Sequence, residues 1–112
     1  MLHDATQSAL SILNTNKKGF FLMVEGSQID WACHDNNYQQ LIKEVLDFDQ
    51  TIGRVLDFAK KDGNTLVIIT ADHETGGLTI LDGKFANEKM KVSFSSKNHS
   101  GVPVPVLSLI HI

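Results

Sequence analysis

Glu25, Asp30, His34, Asp72 and His73 are the residues whose types and spacing could do chemistry together, with His99 as a further candidate. Neutral imidazole and carboxylate oxygen are the ligand types of catalytic zinc, and an oxygen-rich corner suits Mg²⁺. Asp30 and His34 stand four residues apart, a spacing that puts both side chains on one face of a helical turn. Glu25 follows the apolar run Phe20–Val24, and Asp72-His73 follow Ile69-Thr70-Ala71. In open α/β sheets ligands bind outside the carboxyl ends of the strands, so two neighbouring parallel strands would aim these acids and His73 into one crevice. Taken singly, each has a plainer reading. An Asp-x-x-x-His pair is commonly a hydrogen-bonded surface pair, and an Asp-His dipeptide after a strand is commonly a turn or a helix cap. Their convergence at the ends of consecutive strands favours a metal site, to which a loop carrying Asn98-His99-Ser100-Gly101 could add a ligand.

The remaining chemistry-bearing side chains have structural readings. Cys33 is the lone cysteine, so an internal disulfide and a paired-thiolate zinc site are both excluded. It reads as a small packing residue, and its neighbour Trp31 as part of a pocket rim. Arg54, the lone arginine, reads as a solvated charge on a helix. Glu74 reads either as a hydrogen-bond partner of a ligating histidine or as a solvated loop charge. Thr75, Gly76 and Gly77 read as a turn, and His3 as a surface histidine near a helix start. His111 is given no role.

The elements that must position these groups follow from periodicity. Asp4 to about Asn16 reads as a short helix capped by Asp4, with Ala5, Ala9, Ile12 and Leu13 on one side. Phe20–Val24 is apolar on both faces, as a buried strand of a parallel sheet would be. From Asn36 to Lys61 apolar residues recur at intervals of three and four, predicting an amphipathic helix capped by Asn36 or Asn37 and ended by Gly63. Gly53 within it predicts a bend or a close packing contact. A second β-branched run, Thr65–Thr70, completes a strand–helix–strand unit, which predicts parallel strands with a right-handed crossover and an α/β class. Leu78–Leu81, a turn at Asp82-Gly83 and Lys91–Phe94 predict a hairpin or two edge strands. Val102–Val106 carries two prolines and must lie at an edge or run as extended chain.

The chain has 112 residues, 42% of them hydrophobic, and a formal net charge of −3, which excludes global disorder. No apolar stretch approaches the roughly 18–20 residues that span a bilayer, and scattered lysine pairs give no basic stripe for nucleic acid. The opening Met1-Leu2-His3-Asp4 has neither the basic nor the apolar region of a signal peptide.

Three ordered stretches carry a resemblance: Gly19 to His34, including Val24-Glu25-Gly26 and Ile29-Asp30-x-x-x-His34; Leu66 to Gly77, including Thr70-Ala71-Asp72-His73; and Asn98 to Val106. Together they resemble the C-terminal half of bacterial alkaline phosphatases. The resemblance implies a partial three-layer αβα sandwich with a mostly parallel central sheet and an antiparallel edge hairpin. Residues 1–106 would be the C-terminal part of the catalytic domain. The apolar stretch 107–112 departs from the family's polar continuation and reads as an atypical, foreign tail.

The family's activity implies hydrolysis of phosphate monoesters through a phosphoserine, using two Zn²⁺ and one Mg²⁺. By position, Glu25 would hold the Mg²⁺, Asp30, His34 and His99 the first zinc, and Asp72 and His73 the second. One metal would activate the attacking oxygen and the other stabilise the leaving one. The nucleophile's Asp-Ser-Ala motif occurs nowhere in this chain, so the chain alone should be inactive. The resemblance also implies a parent enzyme that is periplasmic or secreted and homodimeric. Two alternatives remain at this level: a non-catalytic zinc-binding module, and a sister phosphodiesterase or phosphomutase sharing the metal ligands.

Overall fold

The computed structural model describes residues 1–84 and 89–110. Helix α1 spans Leu2–Leu13 and packs against the long helix α3, Tyr38–Asp62, burying Thr6 and Leu10. Met1 occupies the N-cap position and Asp4 lies one turn in, so the predicted cap is displaced. The reason is visible at Leu2 and His3. Leu2 N–H donates to Asp47 Oδ2 (3.1 Å) and His3 Nδ1 stands 2.9 Å from Asp47 Oδ1, so a carboxylate of α3 serves the start of α1. His3 is therefore a clamp between two helices and not a surface histidine.

Helix α3 is amphipathic as predicted, burying Leu41, Thr51 and Ala59. The Asn37 side chain accepts from Gln40 N–H at its start, and Gly63 ends it in the left-handed region at φ +74°. Thr51 satisfies its buried hydroxyl by donating to the Asp47 carbonyl at 2.8 Å. At Gly53 a side chain would meet open space, so close packing does not explain that glycine.

A short helix, α2, covers Gln28–His34. Ala32 and Cys33 form its buried side, packed with Leu41 of α3, Ile29 and Phe94. Gly26 precedes it because the chain runs hard against α3: a Cβ there would lie 3.0 Å from the Phe48 ring.

The strands are β1 Val67–Ile69, β2 Glu74–Thr75, β3 Thr79–Lys84, β4 Lys89–Ser93, β5 His99–Ser100 and β6 Leu107–Leu109. They pair β1 with β6, β2 with β5 and β3 with β4, each antiparallel. Parallel pairing between 20–24 and the Thr65–Thr70 run is not formed among the described residues. Phe20 packs on Phe58 of α3 at a ring separation of 6.2 Å, while Phe21 and Met23 are 89% and 77% exposed. One side of this segment is thus covered by helix, and its hydrogen-bonding edges and other side lack the neighbours that a buried parallel strand requires.

The predicted hairpin is β3–β4, but Asp82 and Gly83 pair with Lys91 and Met90 and are not its turn. An irregularity between Ile80 and Asp82 absorbs the extra residue Leu81 and carries the ladder on to Lys84. Residues 85–88, which join the two strands, lie outside the described ones. Val102–Val106 lies in no ladder, and Thr70 Oγ1 donates to the Pro105 carbonyl at 3.1 Å. The stretch read as an atypical tail supplies β6, the partner of β1; His111 and Ile112 lie outside the described residues.

Few side chains are buried, and the Cα radius of gyration is 16.4 Å. A compact domain of this length would have about 13 Å.

Candidate metal centre

Helix α2 delivers two of the predicted residues from one face. Asp30 Oδ2 lies 3.4 Å from His34 Nε2, as the spacing of four requires. The β2–β5 pairing brings in His99, whose ladder partner is Thr75. His99 Nε2 stands 3.1 Å from His34 Nε2 and 3.6 Å from Asp30 Oδ1. The ring of His73 stacks on that of His99, centroids 3.5 Å apart. Ligand atoms of Asp30, His73 and His99 all lie within 4.8 Å of one another. Asp72 sits at the margin, 88% exposed, with Oδ2 3.3 Å from His73 Nε2.

Glu25 is not part of this cluster. It opens on a groove shared with Met1, Leu2, Lys43 and Asp47, between the start of α1 and the Lys43–Asp47 stretch of α3.

The loop that carries His99 is stapled to β2. Glu74 Oε1 accepts from Gly77 N–H at 2.7 Å, and Oε2 accepts from the Ser100 hydroxyl. The Gly76 carbonyl accepts from Ser95 and Ser96 N–H, and Gly76 N–H donates to the Asn98 carbonyl at 3.0 Å. Gly77 has φ +58°, and a Cβ there would fall 1.9 Å from Ser95 Oγ, so this loop closes only on glycine. Glu74 thus holds the turn and the His99 strand together, and neither of its predicted roles describes it. Cys33 is buried beneath α2, and burial, with the charges of Asp30 and Glu74 nearby, pushes its thiol up from the ordinary value. It packs, as expected, while Trp31 is 64% exposed beside Asp30.

The donor set fits a divalent cation. His34 Nδ1 lies 2.6 Å from the Lys97 carbonyl, which can only accept, so Nδ1 carries the proton. In the neutral ring Nε2 then presents a lone pair to the Asp30 carboxylate and to His99 Nε2. His99 Nε2, 3.1 Å from that lone pair and 3.6 Å from Asp30 Oδ1, donates a proton into this space in one tautomer and in the other adds a lone pair that a cation could bind. Donor atoms on a tetrahedral zinc with bonds of about 2.0–2.1 Å stand about 3.3 Å apart, close to the separations of His34 Nε2 from His99 Nε2 and from Asp30 Oδ2. Asp30, His34 and His99 would offer such an ion three side-chain ligands, the number typical of a catalytic zinc.

Residues 1–100 match the family model described as alkaline phosphatase. The chain belongs to the alkaline phosphatase family. It is 63% identical over 79 residues to alkaline phosphatase 4 of Bacillus subtilis strain 168, covering 70% of this chain and 17% of that protein. Among solved structures, the alkaline phosphatase of the Antarctic bacterium TAB5 superposes with a TM-score of 0.89 at 48% identity, over 98% of this chain and 34% of that one. A variant of the TAB5 enzyme, with one histidine replaced by glutamate and Mg bound in its M3 site, gives 0.88 at 44% identity, over 98% and 34%. The chain therefore has the α/β alkaline phosphatase fold over about a third of a solved relative and a sixth of the curated one. No described helix is long and apolar enough to cross a membrane.

Proposed function

We propose that residues 1–106 supply the C-terminal part of a metal-dependent phosphomonoesterase, with the serine nucleophile outside this chain. The observation that carries the reading is the convergence of Asp30, His34, His73 and His99 from α2, the β1–β2 connection and β5. Asp30, His34 and His99 would hold the first zinc, Asp72 and His73 the second, and Glu25 the Mg²⁺. When bound, these ions supply the positive charge that polarises a phosphate ester and stabilises the oxygens entering and leaving phosphorus. The chain's residues do the rest by orientation. The Lys97 carbonyl fixes the His34 ring, the ladder to Thr75 fixes His99, and the Glu74 staple keeps its loop closed. Glu25 shares its groove with Glu44 and Asp47 of α3 and would complete its Mg²⁺ site with side chains outside this chain, and the edges of 20–24 would join a larger, mostly parallel sheet.

The parent enzyme would be periplasmic or secreted and would act as a homodimer, as the family resemblance suggests. In this reading the 112-residue chain, supplied with Zn²⁺ and Mg²⁺, gives no turnover of p-nitrophenyl phosphate. On the same reading, sequencing of the coding region upstream should find an Asp-Ser-Ala tripeptide. Robust metal-dependent turnover by the chain alone overturns the shared-centre reading, and an upstream threonine nucleophile redirects it to a phosphodiesterase.

A further inference from the structure

Thr75 touches both halves of the candidate centre. Its Oγ1 lies 2.5 Å from Asp30 Oδ1 and 3.1 Å from His73 Nδ1, and its backbone is the ladder partner of His99. The residue is buried, at 8% exposure, so its hydroxyl depends on these two partners and not on solvent. The direction of each bond follows from donor chemistry. A carboxylate only accepts, so the hydroxyl gives its one hydrogen to Asp30. Thr75 Oγ1 is then left to accept, and His73 Nδ1 must donate to it. That sequence, His73 Nδ1–H to Thr75 Oγ1–H to Asp30 Oδ1, leaves His73 Nε2 as a lone pair facing Asp72 Oδ2 at 3.3 Å. It also occupies Asp30 Oδ1 and leaves Oδ2 facing His34 Nε2.

We propose that Thr75 is a positioning residue that joins the two zinc half-sites through one hydroxyl. It fixes the His73 tautomer that can bind metal and presents the free oxygen of Asp30 to the neighbouring site. By sequence Thr75 reads as part of a turn, since a threonine before Gly76-Gly77 carries no local sign of a buried bond 45 residues away. The inference rests on the metal-centre reading for its consequence, while the hydrogen-bond direction stands on geometry alone.

Two readouts separate these levels. In the metal-free chain labelled with ¹⁵N-histidine, long-range ¹H–¹⁵N spectra at pH 8 should show His73 protonated at Nδ1. Thr75→Val should release that preference and Thr75→Ser should keep it. Zinc competition against a chromogenic chelator should show Thr75→Val weakened by about 10- to 100-fold, the usual cost of losing a partner behind a metal ligand, with Thr75→Ser within about threefold of the parent. A parent His73 protonated at Nε2 overturns the proposal whether or not any variant folds. So does a Thr75→Val chain that keeps both the tautomer and the zinc affinity of the parent. Failure of the parent chain to bind zinc overturns the metal-centre reading instead, and the tautomer result still decides the hydrogen bond.

Discussion

Asp30 has its two oxygens divided between neighbours, with Oδ1 bonded to Thr75 and Oδ2 facing His34. Its pairing with His34 was legible because an interval of four on a helix leaves no other geometry, and the sequence supplied that interval directly. The residues alone offer His99 as a loop candidate, and the family resemblance makes it a ligand, since nothing within Asn98–Gly101 tells which strand will pair with it. Glu74 and Thr75 were misread because their partners, Ser100 and Asp30, are distant in sequence. At this scale His99→Ala should lower zinc affinity by more than about 100-fold, beyond the range of a second-layer change, by chelator competition. Glu74→Ala leaves Gly77 N–H and the Ser100 hydroxyl without their acceptor, and urea denaturation should register a loss of about 1–3 kcal/mol.

Among the elements, the long helix was the most legible, because 25 residues of three-and-four periodicity outweigh local accidents. Its ends follow from local chemistry, Asn37 at the start and Gly63 at the close, and Asn37→Ala should cost about 1 kcal/mol in the same urea assay. The junction of α1 with α3 was not legible, since His3 and Asp47 meet across 44 residues. Asp47's carboxyl is held below the usual carboxylate range chiefly by its hydrogen bond from His3, opposed next by desolvation, with Leu2 N–H adding a lesser lowering. A carboxyl whose folded pKa is lowered stabilises the fold above its unfolded pKa, and that contribution disappears as pH falls through the folded value. The stability difference between the parent and Asp47→Asn, measured by urea denaturation, should therefore be largest near neutrality. It should shrink once the pH passes below the ordinary value of about 3.9.

For the whole molecule, the α/β class is legible, while no parallel strand pairing forms among the described residues. A run apolar on both faces identifies a strand that expects neighbours on both edges, but it cannot supply them. Phe21, Met23, Ile68, Leu107 and Ile110 are exposed in consequence, a surface that favours self-association. Phe21→Lys combined with Met23→Lys should raise the monomeric fraction in analytical ultracentrifugation. The candidate centre holds in this open structure because ladder bonds and Glu74 join β2 to β5, while the Thr75–Asp30 and His34–Lys97 hydrogen bonds tie α2 to them. Calorimetric titration of the metal-free chain with Zn²⁺ tests that centre most directly. Saturable binding tighter than about 1 μM, or roughly −8 kcal/mol, is expected, abolished in an Asp30→Asn, His99→Ala chain. Binding no tighter than this in the parent, or unchanged in the double variant, would contradict the metal-centre reading.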